Sequence, residues 1–124
     1  MSEESPRSWD GLDVGQLDQL VDVDGGSLLR GLVGRFPASL SMADEVETMV
    51  AAGDAAGARA VAHRLTGRLL NLGAIEPATT ARAIVGHLDA GDLEPAAALL
   101  PQLHAALARA GEGLHRYLRT LPGA

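Results

Sequence analysis

The sequence predicts an all-α fold, an up-and-down antiparallel four-helix bundle with a short extra N-terminal helix. Three observations carry that prediction. Alanine and leucine dominate a chain of 124 residues that is 47% apolar, yet only Trp9, Phe36 and Tyr117 are aromatic. That composition suits helices packed through small side chains and leaves a β-sandwich short of β-branched and aromatic residues. Apolar residues also recur at helical spacing along most of the chain. Finally, a Gly-Asp pair recurs at 53–54 and 91–92, and such short connections place sequential helices antiparallel.

Each element can be justified from its residues. Residues 1–10 are polar and charged and are expected to form a disordered lead, with Trp9 as a packing plug; residues 11–122 form the helical domain. Val14, Leu17, Leu20 and Val21 have the spacing of a short first helix. Asp24-Gly25-Gly26-Ser27 is a turn in which Asp24 or Ser27 caps the next helix. A long segment then runs to Ala52, with Leu28, Leu29, Leu32, Val33 and Phe36 as one apolar face and Leu40, Ala43, Val46, Met49 and Val50 as another. Pro37 lies between the two and must kink the helix or split it. Asp54 caps the helix that carries His63 and stops at Gly73. Pro77 suits the first turn of a further helix with Ala81, Ile84, Val85 and Leu88 as its buried stripe. Gly91 ends it and Asp92 caps the last segment, where Pro101 should introduce a kink and Gly111-Glu112-Gly113 should loosen the helix.

Composition excludes several classes of function. A net charge of −6 argues against nucleic acid, whose phosphates need a basic face. The absence of cysteine excludes disulfides and thiolate metal sites. No apolar run approaches the roughly 18 residues of a membrane span, and the start lacks a signal-peptide core, so a soluble cytoplasmic chain is expected. No two of His87, His104 and His115 are spaced i, i+3 or i, i+4, and a structural or solvated role is expected for each; no metal site is predicted. No glycine-rich nucleotide loop is present.

The most informative stretch is Ala62-His63-Arg64-Leu65-Thr66-Gly67-Arg68-Leu69-Leu70-Asn71-Leu72-Gly73. At about 100° per residue, Ala58, Val61, Leu65, Leu69 and Leu72 fall on one stripe and His63 falls roughly opposite it, towards solvent. Gly67 lies about 40° around from His63 and Leu70 about 20°, with Arg59 one turn earlier on the same side. A glycine inside a helix costs about 1 kcal/mol against alanine. One reason to accept that cost is to leave the backbone bare beside His63 so that a large partner can approach. His63, Gly67 and Leu70 therefore read as a surface that another protein covers.

This stretch resembles the phosphorylation-site helix of histidine-containing phosphotransfer (HPt) domains, with Ala62, His63, Leu65, Gly67, Asn71, Leu72 and Gly73 in register. The resemblance extends over roughly residues 12 to 120. It implies that His63 accepts a phosphoryl group from an aspartate of a response-regulator receiver domain and passes it to another receiver. A hybrid sensor kinase is the implied upstream partner. It also implies no cofactor of the chain's own, because the receiver brings the magnesium. Histidine suits this chemistry: the imidazole of a free side chain titrates at about 6.5 and is a nucleophile near neutrality. A monomer is the expected state.

Three departures from the family pattern stand out. Thr66 occupies the place of the family's lysine, and the chain has no lysine at all. Arg68 and Leu69 replace small residues, and Leu70 is larger than usual. Arg59, Arg64, Thr66 and Arg68 are the candidates to steady the phosphoryl oxygens, since the planar guanidinium binds phosphate well. Two further readings stay open: an HPt-like protein that docks receivers without sustained transfer, and an unrelated helical adaptor.

Overall fold

A computed structural model describes residues 8, 9 and 11–122, with side chains described for 11–122. Most of the expected lead therefore lies outside the described residues. At its end, Ser8–Trp9 (β1) pairs antiparallel with Leu12–Asp13 (β2). Six helices follow among the described residues: α1 Val14–Asp24, α2 Ser27–Gly34, α3 Pro37–Ala51, α4 Ala55–Asn71, α5 Ile75–Asp89 and α6 Leu93–Arg119. The described residues are all-α apart from that two-residue pairing.

Local chemistry sets the boundaries. Asp13 accepts a hydrogen bond from Gln16 N at 3.2 Å and starts α1. The cap position of α2 is Gly26, neither Asp24 nor Ser27; Asp24, at the end of α1, still accepts from Gly26 N at 3.1 Å and Leu28 N at 3.0 Å. Of the two outcomes open at Pro37, the structure takes the split: the proline is the first residue of α3, where its missing N–H costs nothing. Two short helices, not one, thus precede α3. Asp54 accepts from Gly57 N at 2.8 Å, as a cap should. Asp92 holds the cap position of α6 but makes no side-chain cap bond. Gly53, Gly73 and Gly91 take φ of +80°, +67° and +77°, a left-handed backbone that glycine adopts without a Cβ clash. α6 runs unbroken through Pro101 and through Gly111–Gly113.

Packing joins α3 to α4, α4 to α5, α5 to α6, and α6 back to α3. The core between them is aliphatic: Ala58, Val61, Leu65 and Leu69 of α4 meet Ile84, Leu103, Leu107 and Leu114 in one buried cluster. The α4 stripe read from periodicity is therefore the buried one. Leu28 and Leu40, assigned to apolar faces, are instead 45% and 41% exposed, because α2 buries the face of Leu29 and Val33 and α3 buries the face of Ser39, Ala43, Val46 and Val50. The N-terminal segment anchors the end of α4. Asp13 N donates to Gly73 O at 2.7 Å, and Gln16 Nε2 donates to Leu70 O at 2.7 Å and Asn71 O at 3.3 Å. These bonds hold the last turn of α4 and Gly73 beyond it, where backbone carbonyls no longer have a full set of helical partners. Tyr117 fastens α1 to α6 by donating to Asp18 Oδ1 at 2.5 Å, and burial together with that bond pushes its phenol well above the ordinary tyrosine range.

Candidate functional site

His63 stands on the solvent side of α4, opposite the buried stripe. It makes no hydrogen bond or ion pair among the described residues. Beside it lies a shallow pocket of about 210 Å³ lined by His63, Thr66, Gly67 and Leu70 of α4 and Arg82 and Val85 of α5. The pocket joins the three α4 residues singled out beside Thr66 and adds a wall from the next helix.

Gly67 is helical, exposed, and free of any atom within 4 Å of the place a Cβ would occupy. The chain's own packing gives no reason for a glycine there. Gly111 shows the opposite case: a Cβ would meet the Phe36 ring at 3.1 Å, so that glycine permits close packing. Gly31, Gly34 and Gly86 are open like Gly67. What sets Gly67 apart is its company, a solvent-facing nucleophile and a cation in one pocket. Gly86 adds to it, since it lies one turn from Arg82 on the outward side of α5.

The four candidates for steadying a phosphoryl group are distributed unevenly. Thr66 is 8% exposed, and its hydroxyl donates to Ala62 O at 2.8 Å. Its donor is thus committed to the preceding turn, a common arrangement for threonine inside a helix. Arg59 lies on the pocket side, but its Nε is held by Asp89 at the far end of α5. Arg68 points to the other flank: its Nη2 donates to Arg35 O at 3.1 Å, and it lines a separate pocket with Leu32, Arg35, Asn71 and Leu72. Its Nε is buried without a hydrogen-bond partner. Arg64 is exposed and unpaired among the described residues, but it sits about 100° around from His63, away from α5.

No protein-family model, curated protein or solved structure matches this chain. Its chemistry must be read from its own residues.

The residue that sequence reasoning missed is Arg82. It is exposed, lines the His63 pocket, and has no hydrogen bond or ion pair among the described residues. Helical spacing places Arg82 on the outward side of its own helix, but only the packing of α5 on α4 brings it to His63. His104 was expected to be structural or solvated. Its Nε2 lies 3.1 Å from Glu47 Oε1, linking α6 to α3, and Asp44 stands beside them with its carboxylate within 4.8 Å of both. That link is an exposed contact between two packed helices. Among the described residues, no helix is long and apolar enough to cross a membrane.

Proposed function

We propose that this chain is an HPt module, in which His63 takes a phosphoryl group from an aspartyl phosphate on a receiver domain and delivers it to an aspartate on another. The observation that carries the reading is the pocket itself. An accessible imidazole, a bare helical backbone at Gly67 and an unengaged guanidinium at Arg82 stand together on one outward face. Phosphoryl transfer asks for positioning and charge neutralisation more than for covalent chemistry from the protein, and such a face provides both. On this reading α3 to α6 form the up-and-down antiparallel four-helix bundle of that family. The connections at 52–54, 72–74 and 90–92 are each short enough to reverse the chain.

Each residue then has a role. A ring nitrogen of His63 attacks phosphorus. Gly67 lets the receiver surface come close, and Leu70 gives it an apolar contact. On this reading the receiver brings the magnesium and the acceptor carboxylate, and the pair works in the cytoplasm. The pocket is built by two helices of one chain, so a monomer is sufficient.

A second reading rests on Thr66. With the family's lysine absent and the threonine hydroxyl tied to Ala62, the protein would dock receivers without sustaining transfer. One experiment separates the two. The full chain is incubated with magnesium and a panel of receiver domains phosphorylated by a small-molecule donor. The first reading gives acid-labile, base-stable phosphate on the wild type and none on His63→Gln. Receiver binding without label establishes the second. Neither binding nor label across a broad panel leaves the unrelated helical adaptor.

A further inference from the structure

We propose that Arg82, on the helix beside the phosphorylation-site helix, holds the phosphoryl oxygens on His63 and so does the work of the cation missing at position 66. This rests on the HPt reading of His63. It adds the residue that reading leaves unassigned.

The register between the two helices carries the inference. α4 and α5 are joined by residues 72–74 and pack directly on each other, so they run antiparallel. Arg59 of α4 pairs with Asp89 of α5, which fixes one level of their contact. Seven residues make about two turns and return nearly to the same face of a helix. Moving seven residues forward from Arg59 reaches Thr66; moving seven back from Asp89 reaches Arg82. Arg82 therefore stands level with Thr66, across the groove between the helices. The shared pocket agrees, since Thr66, Gly67 and Arg82 all line it with His63. A cation three residues after the histidine on α4 and a cation at position 82 on α5 approach the same space from opposite walls.

Elimination points the same way. Thr66 is buried with its donor engaged, Arg59 is neutralised by Asp89, Arg68 is bonded on the opposite flank, and Arg64 lies about 100° from His63 on that flank. Arg82 is the candidate on the pocket side whose guanidinium has no partner among the described residues. Its planar fork offers two parallel N–H donors to two phosphoryl oxygens, which a lysine cannot do.

The chemistry balances without any further reactant. The lone pair of a neutral His63 ring nitrogen forms the N–P bond. The P–O bond to the receiver aspartate breaks, and its electron pair leaves on the carboxylate. The other ring nitrogen keeps its proton, and Arg82 neither gives nor takes one. Loss of the phosphoryl group to water passes through a loose transition state that draws electron density from the non-bridging oxygens. A guanidinium bonded to those oxygens opposes that flow, so it lengthens the life of the phosphohistidine.

The test needs no partner protein. Potassium phosphoramidate phosphorylates accessible histidines directly, and mass spectrometry of peptides resolves each one over time. His115 is exposed and serves as an internal reference. Arg82→Ala is expected to shorten the phosphate lifetime on His63 by about threefold to tenfold, the scale of an exposed charge-assisted bond. The lifetime on His115 should not move, and adding Thr66→Lys to Arg82→Ala should restore most of the loss. Equal lifetimes in wild type and Arg82→Ala, or an equal change at both histidines, would overturn the role of Arg82. Failure of the HPt reading shows separately, as an absence of receiver-driven label on the wild type.

Discussion

The two flanks of α4 carry the same kinds of side chain and use them differently. On the flank towards α2 and α3, Arg68 reaches across to the Arg35 carbonyl and helps to hold the chain together. On the flank towards α5, Arg82 reaches nothing among the described residues, and Gly67 has no neighbour over its backbone. A folded chain gains from tying its polar groups to one another, since an intramolecular hydrogen bond is worth about 0.5–1.5 kcal/mol net. Arg59 and Asp89 do tie α4 to α5 further along this flank, so it is the stretch around His63, Gly67 and Arg82 that forgoes such ties, and the proposed function accounts for that.

The comparison breaks most sharply at His63. His63→Gln should abolish receiver-driven phosphorylation while leaving receiver affinity intact and urea stability within about 0.5 kcal/mol of wild type. Arg68→Ala should do the reverse, keeping transfer and losing about 0.5–1.5 kcal/mol in the same urea titration. If Arg68→Ala lost transfer as well, the division between flanks would fail.

Gly67→Gln comes next. It should weaken receiver binding at least tenfold, about 1.4 kcal/mol by calorimetry, yet stabilise the free protein by up to about 1 kcal/mol as a better helix former. The same kind of change at Gly111 should have the opposite effect on folding. Gly111→Leu drives a side chain into Phe36 and should cost about 1–3 kcal/mol, measurable as a lower urea midpoint. The smallest effect is expected from Thr66→Val. It removes the bond to Ala62 O without a change of shape and should leave the lifetime of phosphohistidine unchanged. A shortened lifetime would show that the hydroxyl turns towards the phosphoryl group.

Much of this was legible in the residues. The stripe Ala58, Val61, Leu65, Leu69 and Leu72 repeats with helical period, and all five are buried. The solvent position of His63 comes from the same periodicity, and the glycine turns at 53, 73 and 91 were readable because left-handed backbone selects that residue. The hidden part depends on contacts between segments. Periodicity says which way a side chain leaves its own helix, not which helix meets it. Arg59 is a candidate to steady a phosphoryl group by its place on α4, but nothing local shows that Asp89 holds it, and Arg82 carried no sign of His63. Nor did Arg35 carry any sign that it lies with Arg68 on the flank away from α5. Gln16 reaches the end of α4 across 54 positions of sequence, a separation no local pattern reports. Leu40 was assigned to the core by spacing alone, but the buried face of α3 takes Ser39 beside Ala43, Val46 and Val50 and leaves Leu40 outside.

The most direct measurement is a backbone-amide NMR titration of the full chain with a magnesium-loaded receiver domain. Shifts concentrated at His63, Gly67, Leu70, Arg82 and Gly86, with Arg35 and Arg68 unmoved, are the predicted result. Shifts centred instead on the Arg35–Arg68 flank, or none across a broad panel of receivers, would contradict the assignment of the α5 side of α4 as the face a receiver meets.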